Sequence, residues 1–217
     1  MVKAVLFDMD GVLIDSLKTH FYAFNTAIVK FGAEDLSLET FRRKFWGKYV
    51  KQNVQTLFGD ISDQKLIEIV EEYTLQMSEF SGYISVYPDT TLVLREFKKK
   101  NLMIGLITSS PKRTVDRILD QMDLDGYFDI IICGDQIKRP KPAVDGIIEA
   151  CNFLRIKPSE TIYVGDTYLD IVAGKSAGCY TVGITTCGSK QKLKGADSIT
   201  NNLRQLLDLE KQLATKK

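Results

Sequence analysis

The sequence predicts an α/β protein, with a parallel sheet flanked by helices and a small helical domain inserted near the N-terminus. Three observations support this prediction. Short apolar runs alternate with stretches of helical periodicity. One gap of about seventy residues interrupts the alternation, which is too long for an ordinary loop. The 217 residues are 44% hydrophobic and 26% charged, which is typical of a globular protein.

Five apolar runs are predicted to be strands that are buried on both faces. They are VKAVLF (residues 2–7), MIGLI (103–107), DIIIC (129–133), TIYV (161–164) and YTVGI (180–184). Helical periodicity covers residues 89–100, 112–122, 142–154, 169–177 and 201–214. Strands that alternate with helices of this length indicate right-handed crossovers, and therefore a parallel sheet.

The interval between the first strand and Pro88 is predicted to be a separate domain. It contains helical stretches at residues 16–30 and 63–80, and no convincing buried strand. We therefore expect residues 16–84 to form a helical domain over the carboxyl edge of the sheet. Residues 1–15 and 85–217 then form the main domain.

The charge and hydropathy of the chain exclude some classes of partner. A formal net charge of +1 gives no overall attraction to nucleic acid or to an anionic membrane. The first apolar run ends at Asp8, too early for a secretory signal, and no later run has the length of a membrane span. We expect a cytoplasmic protein with a small-molecule partner, either a monomer or a homodimer.

The cysteines and the single histidine restrict the possible chemistry. The cysteines have wide, irregular spacings without a C-x-x-C pair, so reduced and mostly buried thiols are expected. They are Cys133, Cys151, Cys179 and Cys187. His20 alone cannot provide a His-based zinc site, and one histidine argues against a Ser-His-Asp triad. The chemistry is therefore expected to depend on carboxylates.

Polar residues follow four of the predicted strands and are expected to face one site, because ligands bind at the carboxyl ends of parallel strands. In strand order they are Asp8 and Asp10, then Thr108, Ser109 and Ser110, then Lys141, then Asp166 and Asp170. Acids gathered in this way repel one another unless a hard cation lies among them, and Mg²⁺ accepts both carboxylates and phosphate oxygens. The hydroxyls, the lysine and helix N-termini suit a phosphate group. The pattern predicts phosphoryl chemistry.

The two aspartates after the first strand can divide the work. One carboxylate can attack phosphorus, while the other protonates the leaving oxygen and then activates water. Asp8 and Asp10 are two positions apart, so they lie on the same side of an extended chain. Gly11 would let the backbone turn away directly afterwards.

Four motifs in chain order resemble those of the haloacid dehalogenase superfamily, in its branch with a helical cap after the first motif. They are FDMDGVLIDS, Thr108 after an apolar strand, Lys141 in RPKPAVD, and GDTYLD. The resemblance spans the full chain. It implies a Rossmann-like core, an α-helical cap domain over residues 16–84, and dependence on Mg²⁺.

The resemblance also implies residue roles. Asp8 would be the nucleophile and a metal ligand, and Asp10 the general acid/base with its main-chain carbonyl on the metal. The other residues implied are Thr108, Ser109 and Lys141 at the phosphoryl group, Asp166 on the metal, and Asp170 and Gly11 in support.

Within the superfamily, Asp10 argues against dehalogenation, because dehalogenases resemble this chain at the first aspartate but lack the second. GDTYLD looks more like phosphoglycolate phosphatases and pyrophosphatases, whereas β-phosphoglucomutases typically carry Glu-Asp where this chain has Gly165 and Asp166. We predict a Mg²⁺-dependent phosphatase with phosphoglycolate as lead substrate. The alternatives are a β-phosphoglucomutase-like isomerase, a pyrophosphatase, and a phosphate-binding module without catalysis.

Some of these residues also have purely structural interpretations. Ser110 is expected to cap the helix that begins at Pro111. Asp170 could serve only the start of a helix, where an acid is favoured by the helix dipole. Lys138 and Arg139, which precede Lys141, suggest a solvated basic loop.

In residues 16–84 the candidates for substrate contact are His20, Arg42 and Arg43. An arginine there could bind a substrate carboxylate. The neighbouring aromatic residues, Phe41, Phe45 and Trp46, would form either a substrate-facing patch or the core of this domain.

Overall fold

The computed structural model describes residues 2–186 and 193–215. The chain separates into two compact units. The main unit contains the residues up to Ile14 and those from Val86 onward, and the inserted unit is Asp15–Ser85. That the inserted unit acts as a cap stays a prediction.

The main unit is built on a parallel sheet. In chain order the strands are β1 (Ala4–Phe7), β2 (Ile14–Asp15), β3 (Ser85–Val86), β4 (Met103–Ile107), β5 (Ile130–Ile132), β6 (Thr161–Gly165), β7 (Tyr180–Ile184) and β8 (Ser198–Thr200). Six of them form one sheet in the order β5-β4-β1-β6-β7-β8, and β2 pairs with β3. All described pairings within the six-stranded sheet are parallel. The predicted α/β class, with its Rossmann-like sheet, is confirmed.

The register of β1 aligns the strand ends that carry the candidate site. Phe7 pairs with Leu106 on β4 and with Val164 on β6. The residues that follow these positions therefore leave the sheet at nearly the same level. Because β1 is near the centre of the sheet and fully buried, its carboxyl end lies between neighbours on both sides.

Two details of the sheet differ from the sequence prediction. Residues Ile130 and Ile131 are only half-buried, so burial on both faces is wrong for β5, which is an edge strand and lacks a neighbour on one side. Strand β8 was not predicted. It has three residues, lies at the other edge and leaves Ile199 exposed, so it carries little of the apolar pattern that identifies a buried strand.

The helices are α1 (Leu17–Lys30), α2 (Leu38–Lys44), α3 (Val50–Phe58), α4 (Asp63–Glu79), α5 (Thr90–Lys99), α6 (Lys112–Gln121), α7 (Asp145–Phe153), α8 (Tyr168–Ala177) and α9 (Gln205–Thr215). Helix α7 begins later than predicted, because Ala143 N–H bonds to the carbonyl of Pro140 in a turn. Helix α9 also begins later. The Asn202 side chain accepts from Gln205 N–H, which places a turn before the helix.

The core of the main unit lies between the sheet and its helices, and contains apolar residues of β1, β4, α7 and β6. Cys133, Cys151 and Cys179 are buried free thiols, as predicted, whereas Cys187 lies outside the described residues. No helix in the described part of the chain combines the length and the apolar character needed to cross a bilayer.

The inserted unit has its own aromatic core. The buried members are Phe24, Ile28, Phe41, Phe45, Val54 and Ile69. Phe41 and Phe45 are therefore core residues, not a surface patch, and the half-buried Trp46 packs against them. Arg42 and Arg43 on the same helix are exposed.

Candidate active site

Asp8 is the first residue after β1 and its side chain is almost buried. Its N–H bonds to the carbonyl of Val164, which extends the ladder between β1 and β6 by one step. Its Oδ1 accepts a hydrogen bond from Lys141 Nζ at 2.7 Å. The end of a buried strand therefore places this carboxylate beside the ammonium group of Lys141, which lies in a different loop.

Lys141 lies in the loop between β5 and α7 and is 6% exposed. Its Nζ donates to Asp170 Oδ1 at 2.8 Å as well as to Asp8. Burial alone would lower the pKa of this lysine, but Asp170 and Asp8 hold the pKa well above its usual value. Lys141 is thus a charged residue shared by two buried acids.

Asp170 both caps helix α8 and binds Lys141. Its Oδ2 accepts from Thr167 N–H at 3.1 Å and its own N–H donates to Thr167 Oγ1, which is a capping box at the start of α8. Its Oδ1 also accepts from Tyr163 Oη at 3.1 Å. The T-x-x-D spacing in GDTYLD is a sequence signal for the Thr167 contact, whereas the contact with Tyr163 has no such signal.

Three buried carboxylates lie close enough to bind one cation. Asp8, Asp166 and Asp170 each offer an oxygen, and these oxygens lie within 4.8 Å of one another. In an octahedral Mg²⁺ site, ligand oxygens are about 3.0 Å apart when adjacent and about 4.2 Å apart when opposite. The all-oxygen donor set fits Mg²⁺, and the 4.8 Å bound on the separations is close to the widest oxygen–oxygen distance of such a site.

The electrostatics of the cluster favour a further positive charge. Burial raises the pKa of Asp8 to about 7, and the nearby Asp170 and Asp10 also raise it, while Lys141 lowers it. When all three carboxylates are ionised, the single lysine leaves two negative charges without compensation. A divalent cation would offset them.

Gly11 makes the predicted turn beside this cluster. Its φ is +79°, which favours glycine, and a Cβ at this position would overlap the carboxylate of Asp166. Its N–H bonds to the carbonyl of Ile14 at 2.9 Å. Gly11 therefore lets the chain leave β1 while passing closely over Asp166.

Asp10 is bound by residues that follow β4. Ser110 Oγ donates to Asp10 Oδ2 at 3.2 Å, and Thr108 Oγ1 lies 3.5 Å from the same oxygen. Ser109 is half-buried beside these residues. The structure brings Asp8, Asp10, Lys141, Asp166 and Asp170 together with Thr108, Ser109 and Ser110 at the carboxyl end of the sheet.

The predicted capping role of Ser110 is wrong. The N-cap residue of α6 is Pro111, and this helix has no capping hydrogen bond from the side chain of its N-cap residue. Asp135, from the loop after β5, accepts the hydrogen bond from Lys112 N–H at 3.0 Å instead. The hydroxyl of Ser110 donates to Asp10, an acceptor distant in sequence.

The candidates in the inserted unit are arranged differently. His20 Nδ1 is hydrogen-bonded to Tyr73 Oη at 2.6 Å, and its ring meets Trp46 edge-on with centroids 5.5 Å apart. Arg42 and Arg43 lie in the last turn of α2. Contact of His20, Arg42 and Arg43 with substrate stays a prediction.

Comparison with known proteins shows what the chain is similar to. A family model described as haloacid dehalogenase-like hydrolase matches residues 5–184. A phosphoglycolate phosphatase from Aquifex aeolicus is 29% identical over 180 residues, which cover 83% of each chain. A pyrophosphatase PpaX from Bacillus velezensis is 28% identical over 92% of this chain and 88% of its own. The crystal structure of a β-phosphoglucomutase from Clostridium difficile shares the fold, with a TM-score of 0.86 at 24% identity over 98% and 96% of the two chains.

Proposed function

Because the chain belongs to the haloacid dehalogenase-like hydrolase family, we propose that it is a Mg²⁺-dependent phosphatase that hydrolyses a small-molecule phosphate monoester through an aspartyl-phosphate. The phosphatase and pyrophosphatase names of its relatives support phosphoryl hydrolysis. One observation carries the proposal. The buried Asp8 carboxylate lies 2.7 Å from Lys141 and within 4.8 Å of Asp166 and Asp170.

The two half-reactions use Asp8 and Asp10 in turn. An oxygen of Asp8 attacks phosphorus, the bond from phosphorus to the ester oxygen breaks, and protonated Asp10 gives its proton to the departing alcohol. Asp10 then takes a proton from water, whose oxygen attacks the phosphoryl group on Asp8. Inorganic phosphate leaves, and the Asp8 carboxylate and the Asp10 proton are restored.

Asp8 and Asp166 are the side chains we assign to Mg²⁺, with the Asp10 carbonyl as the implied third ligand. Bound Mg²⁺ would neutralise charge that develops on the phosphoryl oxygens. Asp170 already accepts hydrogen bonds at both oxygens, from Lys141 and Tyr163 at one and from Thr167 at the other. We therefore assign Asp170 to holding Lys141, which with Thr108 and Ser109 would bind the phosphoryl group.

We propose that the inserted unit is the cap that excludes bulk water and selects the substrate. Phosphoglycolate is the lead substrate, supported by the name of the Aquifex aeolicus relative. Arg42 or Arg43 would bind its carboxylate, and His20 would line the same side. If so, replacing both arginines with alanine should reduce kcat/KM about tenfold or more for phosphoglycolate, and little for uncharged phosphate esters. Unchanged discrimination between these substrates would dismiss the role of the arginines.

Pyrophosphate is the second candidate substrate. It is favoured by the Bacillus velezensis relative, which aligns with 92% of this chain. In that reaction the leaving group is phosphate, which needs less help from Asp10 than an alcohol does. A phosphatase and a pyrophosphatase would thus share Asp8, Lys141 and Asp166 and differ in what the inserted unit admits.

A panel of phosphate compounds tests the proposal. Phosphate release with Mg²⁺ is measured for phosphoglycolate, pyrophosphate, sugar phosphates and p-nitrophenyl phosphate. Faster pyrophosphate hydrolysis selects the second candidate, and sugar-phosphate isomerisation without phosphate release selects an isomerase. Lack of turnover with every compound contradicts both proposed hydrolases.

The nucleophile is tested separately with Asp8→Asn. This variant should lose about 10⁴-fold or more in turnover, because the amide cannot form the covalent intermediate. Acid quenching with ³²P-labelled substrate should trap phosphate on the wild-type protein and not on the variant. Substantial turnover by Asp8→Asn would rule out the covalent route.

A further inference from the structure

We propose that Ser110 is a positioning residue that holds the Asp10 carboxyl in place to protonate the leaving group. This inference rests on the proposed function, in which Asp10 is the general acid. It adds a residue that the sequence motifs do not contain, and it predicts a dependence on the leaving group that can be measured.

The first support is the contact itself. Ser110 is 7% exposed, and its hydroxyl donates to Asp10 Oδ2 at 3.2 Å. Hydrogen bonds between oxygens are usually about 2.5–3.0 Å long. The Ser110 contact is slightly longer than this, and Thr108 Oγ1, at 3.5 Å from the same oxygen, lies well beyond it. Of these two hydroxyls, that of Ser110 is therefore the better placed to donate to Asp10.

The second support is that the main chain fixes Ser110 independently of its hydroxyl. Ser110 N–H donates to Thr108 Oγ1 at 3.1 Å, and the carbonyl of Ser110 accepts from Gly134 N–H at 3.0 Å. A Cβ on Gly134 would overlap the carbonyl of Ser109, so glycine allows this close approach. Replacing Ser110 with alanine keeps the two main-chain hydrogen bonds and removes only the hydroxyl.

The third support is that helix α6 does not need the Ser110 hydroxyl. Asp135 accepts from the first N–H of the helix, at Lys112. A hydroxyl at this position would ordinarily be explained as a helix cap. Here that explanation fails, and the hydrogen bond to Asp10 takes its place.

The chemical consequence follows from how a carboxyl group delivers a proton. A hydrogen bond at Oδ2 restricts rotation of the carboxyl plane and so fixes the direction in which the acid faces the substrate. Loss of this restraint should slow protonation of an alkoxide, which is a poor leaving group. It should matter little for p-nitrophenolate, which departs without a proton.

The test compares benzyl phosphate with p-nitrophenyl phosphate, which are similar in size and differ in leaving group. Ser110→Ala should reduce kcat/KM about 10-fold to 100-fold for benzyl phosphate, within the range of general acid catalysis, and less than about 3-fold for p-nitrophenyl phosphate. Because kcat/KM includes steps only through departure of the leaving group, later hydrolysis of the intermediate does not affect it. Ser110→Thr keeps the hydroxyl and should retain the wild-type ratio of kcat/KM between the two substrates.

Ser198→Ala is the matched control. That serine hydroxyl is hydrogen-bonded to Tyr180 Oη at 2.8 Å, at the β8 edge of the sheet. The control should leave the ratio between the two substrates unchanged. If Ser110→Ala does not fold, Ser110→Cys keeps a side chain of the same shape with a slightly larger and weaker donor, and the same selective loss is expected.

The outcomes separate this inference from the proposed function. Equal losses of kcat/KM for both substrates would show that Ser110 binds substrate or stabilises the fold. No loss for either substrate would show that Ser110 does not position Asp10. Either result overturns the inference and leaves the phosphatase intact. A wild-type protein that hydrolyses neither these two compounds nor any of the phosphate compounds named above, and forms no phosphoenzyme, would overturn both the inference and the proposed function.

Discussion

Arg139 and Lys141 are two cations in the same loop, two residues apart, yet they bind acids in opposite surroundings. Arg139 pairs with Asp145 at 2.8 Å, and its side chain is 75% exposed. Lys141 binds Asp8 at 2.7 Å and Asp170 at 2.8 Å, and its side chain is 6% exposed. The distances are the same within 0.1 Å, while the access of water differs more than tenfold.

The difference shows that contact distance alone does not give the energetic importance of an ion pair. Water screens the exposed pair and solvates either partner if the other is removed. Water cannot solvate the buried Asp8 and Asp170 in the same way, so removing Lys141 leaves their negative charge in the protein interior without a partner cation. Four predictions test this contrast through the free energy of unfolding.

The largest effect is expected for Lys141→Met. It should lower the free energy of unfolding by about 3–5 kcal/mol, because Asp8 and Asp170 lose their buried cation. Urea denaturation in a chelator, followed by circular dichroism, measures the change. The loss should shrink as the pH falls from about 8 through the pKa of Asp8, which burial raises to about 7, because protonation of Asp8 removes buried negative charge. A loss below about 1 kcal/mol at the higher pH would mean that the cluster tolerates uncompensated charge.

Mg²⁺ should have the next largest effect. At about 100 times its dissociation constant, it should raise the free energy of unfolding by about 2.7 kcal/mol, because it binds only the folded protein. Asp166→Asn should abolish most of this gain. Equal stabilisation of the Asp166→Asn variant by Mg²⁺ would place the cation elsewhere. The exposed pair of Arg139 and Asp145 should contribute nothing to the stabilisation by Mg²⁺.

Tyr163→Phe should have a smaller effect than the loss of Lys141 or the addition of Mg²⁺. Tyr163 Oη donates to Asp170 Oδ1 at 3.1 Å in a fully buried position. Removing one hydrogen bond to a charged group should lower the free energy of unfolding by about 1.5–3 kcal/mol, at the lower end because Lys141 and Thr167 still bind Asp170. Urea denaturation at matched pH measures the loss. A loss equal to that of Lys141→Met would mean that the tyrosine, not the lysine, secures Asp170.

The same contrast explains how much the sequence could predict. Asp8 and Asp166 follow buried strands, and Lys141 lies in the loop after the edge strand β5. The carboxyl ends of parallel strands meet at one edge of the sheet, so the convergence of these residues follows from topology. In the pattern RPKP, the sequence predicts that Arg139 belongs to a solvated loop and that Lys141 lies at the site. Spacing alone does not distinguish Arg139, which is solvated, from Lys141, which is buried, so the motif resemblance was needed.

The contacts that the sequence could not predict depend on packing between distant segments. Ser110 before Pro111 favoured a helix cap by local pattern, but Asp135 supplies the acceptor and the hydroxyl binds Asp10. In the inserted unit, His20 and Tyr73 meet across 53 positions of sequence without a motif. Local signals describe such residues poorly because their partners are chosen by tertiary structure.

The smallest effect is expected for Arg139→Met, the matched control for Lys141→Met. Arg139 donates to both carboxylate oxygens of Asp145, at 2.8 and 3.1 Å, and this pair raises the pKa of the arginine and lowers that of the aspartate. Because water reaches the arginine, the free energy of unfolding should change far less than it does for Lys141→Met, and the change should diminish in high salt. Urea denaturation at low and high salt measures it. A salt-independent loss as large as that of Lys141→Met would break the comparison, since burial would then not be what separates the two cations.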